Sequence, residues 1–354
     1  MDVLGKTFAE LTAALSPRRH ELKALRAQYR ALLHAPKNGD KFNQRAAVPA
    51  EVPPASRFVL TADVRPIARR LDDGDLTKFV QQTHDGLETE SVVVPMPRTH
   101  GVWRTLCVSS QIGCARGCLF CETAQLGLLR NLTPEEIVGQ VVAAQRDFAG
   151  GIRNVVFMGM GEPLDNYDNV IHAIRVLMDP NGLSFAGERV TISTVGRVAG
   201  IRKLAQLGWR RLNLAVSLNA PNDEIRSRIM PHNRREPLAE LRDALLAYPL
   251  RNCQFFMMEY VLIPGVNNAR EHAFEVAEYL RPLKSMLNVI PYNPRRDSPW
   301  PAPTEADVTQ FLAWLTEAGQ GCKRRVTKGR EQMAACGQLG NRALARKPRG
   351  NVRT

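Results

Sequence analysis

From Thr105 onward, short apolar runs alternate with longer amphipathic segments, and this rhythm limits the possible folds more than any other feature. TLCVSSQ, NVVFMGMGE, RVTISTVG, LNLAVSLNA, QFFMMEYVLIPG and MLNVIPYNP read as strands. Each is followed by a segment with apolar residues three or four apart. These are TPEEIVGQVVAAQRDF, NVIHAIRVLM, VAGIRKLAQLG, LAELRDALLAY, AREHAFEVAEYL and TEADVTQFLAWLTEAG, which read as helices. KRRVT adds a further candidate strand. Strict alternation predicts an α/β fold with a parallel sheet covered by helices, and strands apolar nearly throughout suit burial on both faces. Six such units fall short of the eight of a closed barrel. A partial (β/α)6 TIM-like barrel and a doubly wound sheet both satisfy the spacing. In either, a ligand sits beyond the carboxyl ends of the strands.

Ahead of this region, residues 1 to about 35 read as helix, with Leu11, Leu22, Leu25, Leu32 and Leu33 roughly on one face. Pro36 and KNGDKFNQRAAVPAEVPPAS then break any regular pattern. In KFVQQTHDGLETESVVVP, Asp85-Gly86 between two β-prone runs predicts a hairpin. The resulting layout is an accessory α+β region over 1–99, read as RNA-binding, a core over 100–330, and a C-terminal loop and basic tail over 331–354. The tail NRALARKPRGNVRT has no acids and little to bury. It reads as disordered, either touching RNA or simply solvated.

A chain of 354 residues suits one large domain with an extension, or two domains. Lys and Arg number 48 against 35 acids, a net charge of +13. A small-metabolite enzyme rarely needs that excess, whereas a polyanion such as RNA explains it. A merely soluble basic surface is the plainer alternative. The charged N-terminus lacks the apolar stretch of a secretory signal, and no run reaches membrane-spanning length. Seven unevenly spaced cysteines do not form a disulfide framework and fit a reducing, cytoplasmic location.

Three of those cysteines crowd into GCARGCLFC: Cys114, Cys118 and Cys121, a C-x3-C-x2-C. Three thiolates on one loop can hold three corners of a cubic iron–sulfur cluster and leave the fourth iron open. Structural zinc normally takes four ligands. Cys107 lies on the preceding strand and the nearest histidine is His100, so zinc would need a distant ligand such as His232 or Cys253. Three unconnected buried cysteines are a third reading. Cys253 and Cys322 read as core or incidental.

The cysteine spacing, with Phe120 before the last cysteine, resembles the signature of the radical S-adenosylmethionine (SAM) enzymes. CVSSQIGCARGCLFC, RNLTPEEIVGQV, FMGMGEPLDNYDNV, RVTISTVG, SLNAPNDEIRSRIMP, LNVIPYNP and AACGQL narrow the resemblance to the RlmN/Cfr family, from about Glu90 to Gly340. The resemblance implies the radical SAM type of partial barrel and methylation of an adenine ring carbon in RNA. It implies a 4Fe-4S cluster on Cys114, Cys118 and Cys121, with SAM at the open iron yielding a 5′-deoxyadenosyl radical. Cys336 matches the methyl-carrying cysteine. Cys107 matches the partner that frees the product by forming a disulfide with Cys336, and Glu90 matches the proton acceptor. Gly161, Glu162, Ser193, Ser217, Leu218, Asn219 and Asn293 match cofactor contacts.

Without the resemblance, Glu90 reads as an exposed hairpin charge and Cys107 as a small buried strand residue. Cys336, in AACGQLGN, reads as a reactive cysteine on a mobile loop. Asn219 stands where the family usually has His. RVTKGREQM differs from the usual Arg-rich segment, and the first 75 or so residues align poorly. These departures bear on the RNA substrate. Carbon 2 of adenine in 23S rRNA, and in tRNA, is the leading expectation. Carbon 8, with antibiotic resistance, is the alternative, as is a radical SAM reaction on another RNA. A metal-stabilised RNA-binding protein without catalysis is the non-enzymatic one. The expected setting is a cytoplasmic monomer, free of membrane, fed by an electron donor such as flavodoxin or ferredoxin.

Overall fold

The computed structural model describes residues 1–34, 58–98, 101–148, 151–325, 329 and 333–341. The chain opens with two helices, α1 (Phe8–Leu15) and α2 (Leu22–His34), where one was expected. The break is at Ser16, which takes left-handed backbone (φ 46°), followed by Pro17 with no amide hydrogen. Leu11, Leu25 and Leu33 are buried, while Leu22 and Leu32 are half-buried. Strands β1 (Ile67–Asp73), β2 (Leu76–Gln82), β3 (Glu88–Arg98) and β4 (Gly101–Cys107) form an antiparallel meander. The expected hairpin joins β2 to β3, with Gly86 at φ +78°.

After β4 the chain makes a small ladder of β5 (Gln111–Gly113) and β6 (Leu128–Asn131), then enters the alternation. α3 (Pro134–Asp147) starts on a capping box between Thr133 and Glu136 with Pro134 in its first turn. There follow β7 (Asn154–Phe157), α4 (Tyr167–Met178), β8 (Val190–Thr194), α5 (Val198–Gln206) and β9 (Asn213–Ser217). Next are α6 (Asp223–Ile229), α7 (Leu238–Leu246), β10 (Phe256–Leu262), α8 (Arg270–Leu280), β11 (Ser285–Pro291), α9 (Glu305–Glu317) and β12 (Cys322–Arg324). KRRVT therefore does contribute a strand, parallel to β11.

Ten strands form one sheet in the order β1-β2-β3-β4-β7-β8-β9-β10-β11-β12. From β4 on, every pairing is parallel. Spatial order follows chain order without reversal. A doubly wound sheet needs a reversal to place helices on both faces. Here each crossover joins neighbouring parallel strands in one direction, which is the winding of a partial barrel. Inside it, the Arg325 guanidinium, just past β12, reaches Met158 beyond β7 (Nη1–Sδ 3.6 Å) and Glu259 on β10 (Nη1–Oε2 3.6 Å).

Two strands end earlier than their apolar runs suggest. β4 stops at Cys107 and β7 at Phe157 because the following segments fold over each other. Gly159 N–H donates to Val108 O (3.0 Å), and Ser110 N–H donates to Met160 O (2.9 Å). α2 packs onto the barrel's outer layer, where a Cβ at Gly182 would come within 2.8 Å of Tyr29. No described helix is long and apolar enough to cross a membrane. His100, the segment KNGDKFNQRAAVPAEVPPAS, most of RVTKGREQM and the tail from residue 342 lie outside the described residues.

Candidate active site

The β5–β6 ladder carries the cysteine loop at the carboxyl ends of the parallel strands. Gly113 sits at φ +77°, and a Cβ there would lie 1.8 Å from Gly127 O. That same carbonyl accepts the Cys114 N–H (2.9 Å). Leu119 N–H donates to Ile229 O at the end of α6 (2.9 Å), and Cys121 N–H to Cys118 O (3.1 Å). Phe120, Ala220, Ile229, Met230, Ile263, Val266 and Tyr292 pack with Cys118 as a second apolar cluster over the strand ends. Burial pushes the Cys114 thiol up to about 12 and raises Cys118 and Cys121 as well. After burial, the neighbouring sulfurs of Cys121 and Cys114 act most strongly on Cys118. Among the described residues, no three Cys, His, Asp or Glu side chains are drawn together tightly enough to hold a metal ion as they stand. The donor set nonetheless fits an iron–sulfur cluster, with three soft sulfur ligands on one loop in an apolar pocket. Binding would replace the thiol protons.

A closed ring of charges pins this loop to its neighbours. Arg116 Nε is 2.8 Å from Asp165 Oδ2, and Arg197 Nε is 2.7 Å from Asp165 Oδ1. Arg197 Nη1 is 2.6 Å from Glu236, His232 Nε2 is 2.7 Å from the same carboxylate, and His232 Nδ1 faces Arg116 at 3.5 Å. His232, considered as a distant zinc ligand, thus has both ring nitrogens in this ring. Cys253 is exposed at the amino end of β10, away from the loop, so it is neither ligand nor core. Cys322 is half-buried on β12.

The expected cofactor contacts gather at the same strand ends, several of them already engaged. Gly161 (φ +98°) is required by close packing: a Cβ would lie 2.5 Å from the Gln111 Cβ. Glu162 is buried. Its Oε1 accepts from Leu164 N (3.0 Å) and its Oε2 from Val195 N (2.8 Å), fixing the ends of β7 and β8 to each other. The Thr194 hydroxyl hydrogen-bonds to the same carboxyl. Ser193 is half-buried within β8, and Ser217 closes β9. Leu218 is buried, and its N–H donates to Glu259 O (2.9 Å). Asn219 occupies left-handed backbone (φ 58°), and its Oδ1 accepts from Val261 N (2.9 Å), so this amide braces two strand ends. Asn293, past β11, donates from Nδ2 to Cys336 O (3.5 Å).

Burial pushes the Glu162 carboxyl from 4.5 to about 7. Between those pH values the folded protein holds a proton that the unfolded chain has released. The contribution of this group to stability is therefore greatest below about pH 4.5 and is lost as pH rises through about 7. The expected loss from this group is on the order of 3 kcal/mol. Glu162→Gln should remove at least half of the difference between denaturation midpoints at pH 5 and 7.5. An unchanged difference would assign the slope elsewhere.

Glu90, Cys107 and Cys336 converge. Cys107 is buried at the end of β4, its thiol pushed up to about 12 by burial and by the neighbouring Cys336, against the Arg325 guanidinium. Cys336 in turn is the main cause that holds Arg325 more firmly protonated than usual. The mobile loop expected around Cys336 is tied down. Glu122 N–H donates to Gly337 O (2.6 Å), Thr123 Oγ1 to Leu339 O (2.6 Å) and Gln338 Nε2 to Pro294 O (3.0 Å). Glu90 is a buried member of an ion pair with Lys78 rather than an exposed hairpin charge. All seven cysteines are free thiols.

This barrel, with its cysteine loop at the strand ends, defines a radical SAM enzyme, and residues 108–277 match the Radical SAM superfamily. A crystal structure of a radical SAM methyltransferase from Sphaerobacter thermophilus superposes with a TM-score of 0.82. It is 36% identical, over 96% of this chain and 98% of that one. The dual-specificity RNA methyltransferase RlmN of Syntrophotalea carbinolica is 45% identical over 74% of this chain and 69% of its own length. That of Nitratidesulfovibrio vulgaris (strain Miyazaki F) is 38% identical over 98% of this chain and 95% of its own. The chain belongs to the RlmN family of radical SAM RNA methyltransferases.

Sequence reasoning missed Lys78, Arg226, Glu259 and Arg325. Glu259 had a signal: a lone carboxylate inside QFFMMEYVLIPG, a strand read as buried on both faces, requires a partner. It finds Asn288 Nδ2 at 2.9 Å and Arg325. Arg226 is wholly buried and carried no signal, since its helix is short and polar.

Proposed function

We propose that the chain methylates carbon 2 of an adenine in 23S rRNA, and in tRNA, through a methylene carried on Cys336. The observation that carries this reading is the meeting of Cys336 with Cys107 and Arg325 beside the strand ends. Cys114, Cys118 and Cys121 would hold the 4Fe-4S cluster implied by the family. When bound, that cluster would supply the electron that splits SAM into methionine and a 5′-deoxyadenosyl radical, and would take one electron back once the methylene has joined the base and the ring proton has left. Gly161, Glu162, Ser193, Ser217, Leu218, Asn219 and Asn293 seat SAM, and the apolar cluster around Phe120 keeps water from the radical. The target base must leave its stack to reach Cys336. Glu90 takes the ring proton once the methylene is attached. Cys107 then attacks the Cys336 sulfur. The C–S electron pair leaves with the carbon, which takes a proton to become the methyl group, and the two cysteines are left as a disulfide.

The +13 charge suits a polyanionic substrate. Residues 1–99 serve as an accessory RNA-binding region, 100–330 as the catalytic core, and 331–354 carry Cys336 and the basic tail. Flavodoxin or ferredoxin supplies the electron, and the enzyme works as a cytoplasmic monomer. The test is nucleoside mass spectrometry after anaerobic reconstitution with SAM, reductant and separate ribosomal and transfer RNA. A 2-methyladenosine peak is expected, absent in Cys336→Ala. An 8-methyladenosine peak would move the reaction to the other carbon. Cofactor cleavage with neither product would replace the substrate.

A further inference from the structure

One buried ion pair fastens both ends of the loop that carries Cys336. Lys78 on β2 and Glu90 on β3 are diagonal neighbours on the ladder, opposite Val92 and Val80 respectively. Lys78 Nζ is 2.7 Å from Glu90 Oε2, with side chains 7% and 5% exposed. Nζ also donates to Met333 O (3.1 Å), and Gly340 N–H donates to the same Oε2 (3.0 Å). Gly340 sits at φ +135°, which a side chain rarely tolerates. Met333 and Gly340 bracket Cys336 within one short turn. A buried pair of this kind adds little stability over a well-packed apolar pair. Its position, between the carboxylate and the thiol that act on one base, gives it a role.

We propose that Lys78 is a positioning residue of the methyl transfer, setting the Glu90 carboxylate and the Cys336 sulfur in one rigid frame. This rests on the reading of Glu90 as proton acceptor and Cys336 as methylene carrier. Both donors converge on Oε2, which assigns the incoming proton to Oε1. The proton leaves the ring carbon for Oε1, the C–H electron pair stays on the ring, and the unpaired electron left by radical addition would return to the cluster that supplied it. Without Lys78 the carboxylate and the loop separate, and the ring proton stays in place. The base then remains bonded to Cys336.

The test uses reconstituted full-length enzyme with SAM, reductant and ribosomal RNA. Three quantities are read: 5′-deoxyadenosine, methyladenosine, and a protein–RNA adduct that survives denaturing gels. Lys78→Met is expected to cleave cofactor within about threefold of wild type while methyladenosine falls about 100-fold or more, in the range of a lost general base. The adduct should accumulate as it does in Glu90→Gln. Lys78→Arg keeps the charge but not the fit to both Met333 O and Glu90. It should raise the adduct-to-product ratio at least about threefold, and it serves as the probe if Lys78→Met loses iron. Wild-type product from either Lys78 variant overturns the proposal. So does a parallel loss of deoxyadenosine and product in Lys78→Arg, which marks a merely structural role. Normal turnover in Glu90→Gln would instead remove Glu90 as the acceptor, a distinct failure.

Discussion

Arg226→Met is expected to lower the unfolding free energy by about 3–5 kcal/mol, because it strands several buried acceptors at once. The Arg226 side chain, on α6, is fully enclosed over the carboxyl ends of β8 and β9. Nε donates to Leu218 O (3.0 Å), Nη1 to Asn233 Oδ1 (2.6 Å), and Nη2 to Val195 O (2.6 Å) and Ser217 O (3.1 Å). Methionine fills similar space but leaves three carbonyls and an amide oxygen without partners or water. Two of those carbonyls belong to Ser217 and Leu218, so the proposed cofactor seat should loosen along with the fold. Lysine cannot substitute, because a single ammonium does not span four acceptors set in a fork. Chemical denaturation of Arg226→Met and Arg226→Lys checks this. A loss below about 1 kcal/mol in both would mean that water reaches the carbonyls.

Gly113→Ala is the second large effect, and it should strike the cysteine loop. The alanine Cβ would occupy space 1.8 Å from the Gly127 carbonyl, which is backbone and cannot swing away, and φ is +77°. Relieving the clash parts β5 from β6 and breaks the Cys114 N–H bond to that carbonyl. Strained backbone of this kind costs about 1–3 kcal/mol before the clash is counted. Iron bound after anaerobic reconstitution should fall to a small fraction of wild type, while the helix content seen by circular dichroism stays close to it. Full iron loading in Gly113→Ala would show that the ladder does not set the loop.

The parallel half of the fold was legible because periodicity is local: a strand buried on both faces and a one-sided helix each write their pattern into ten or so residues. Spacing alone could not choose between barrel and doubly wound sheet, because only the spatial order of β4, β7, β8 and β9 distinguishes them; the family resemblance made that choice. The helix break at Ser16 was hidden by a continuous apolar face, although Pro17 stood in plain view. Glu90 could not be read as buried from alternation alone. Its pairing with Lys78 depends on strand register, and its bond to Gly340 joins residues 250 apart. Cys336 looked mobile for the same reason: flanking glycines signal freedom unless distant partners remove it. Here Glu122, Thr123 and Pro294 remove it.

That long-range fastening has a consequence for the order in which the molecule matures. The β1–β4 meander is made of short hairpins, so it can form early as the chain leaves the ribosome. The cysteine loop follows within the next few dozen residues. The loop that carries Cys336 docks onto Lys78 and Glu90, through Met333 and Gly340, only after every intervening strand has been laid down. A half-made or C-terminally shortened chain would therefore own a place for the radical chemistry but no thiol to receive it.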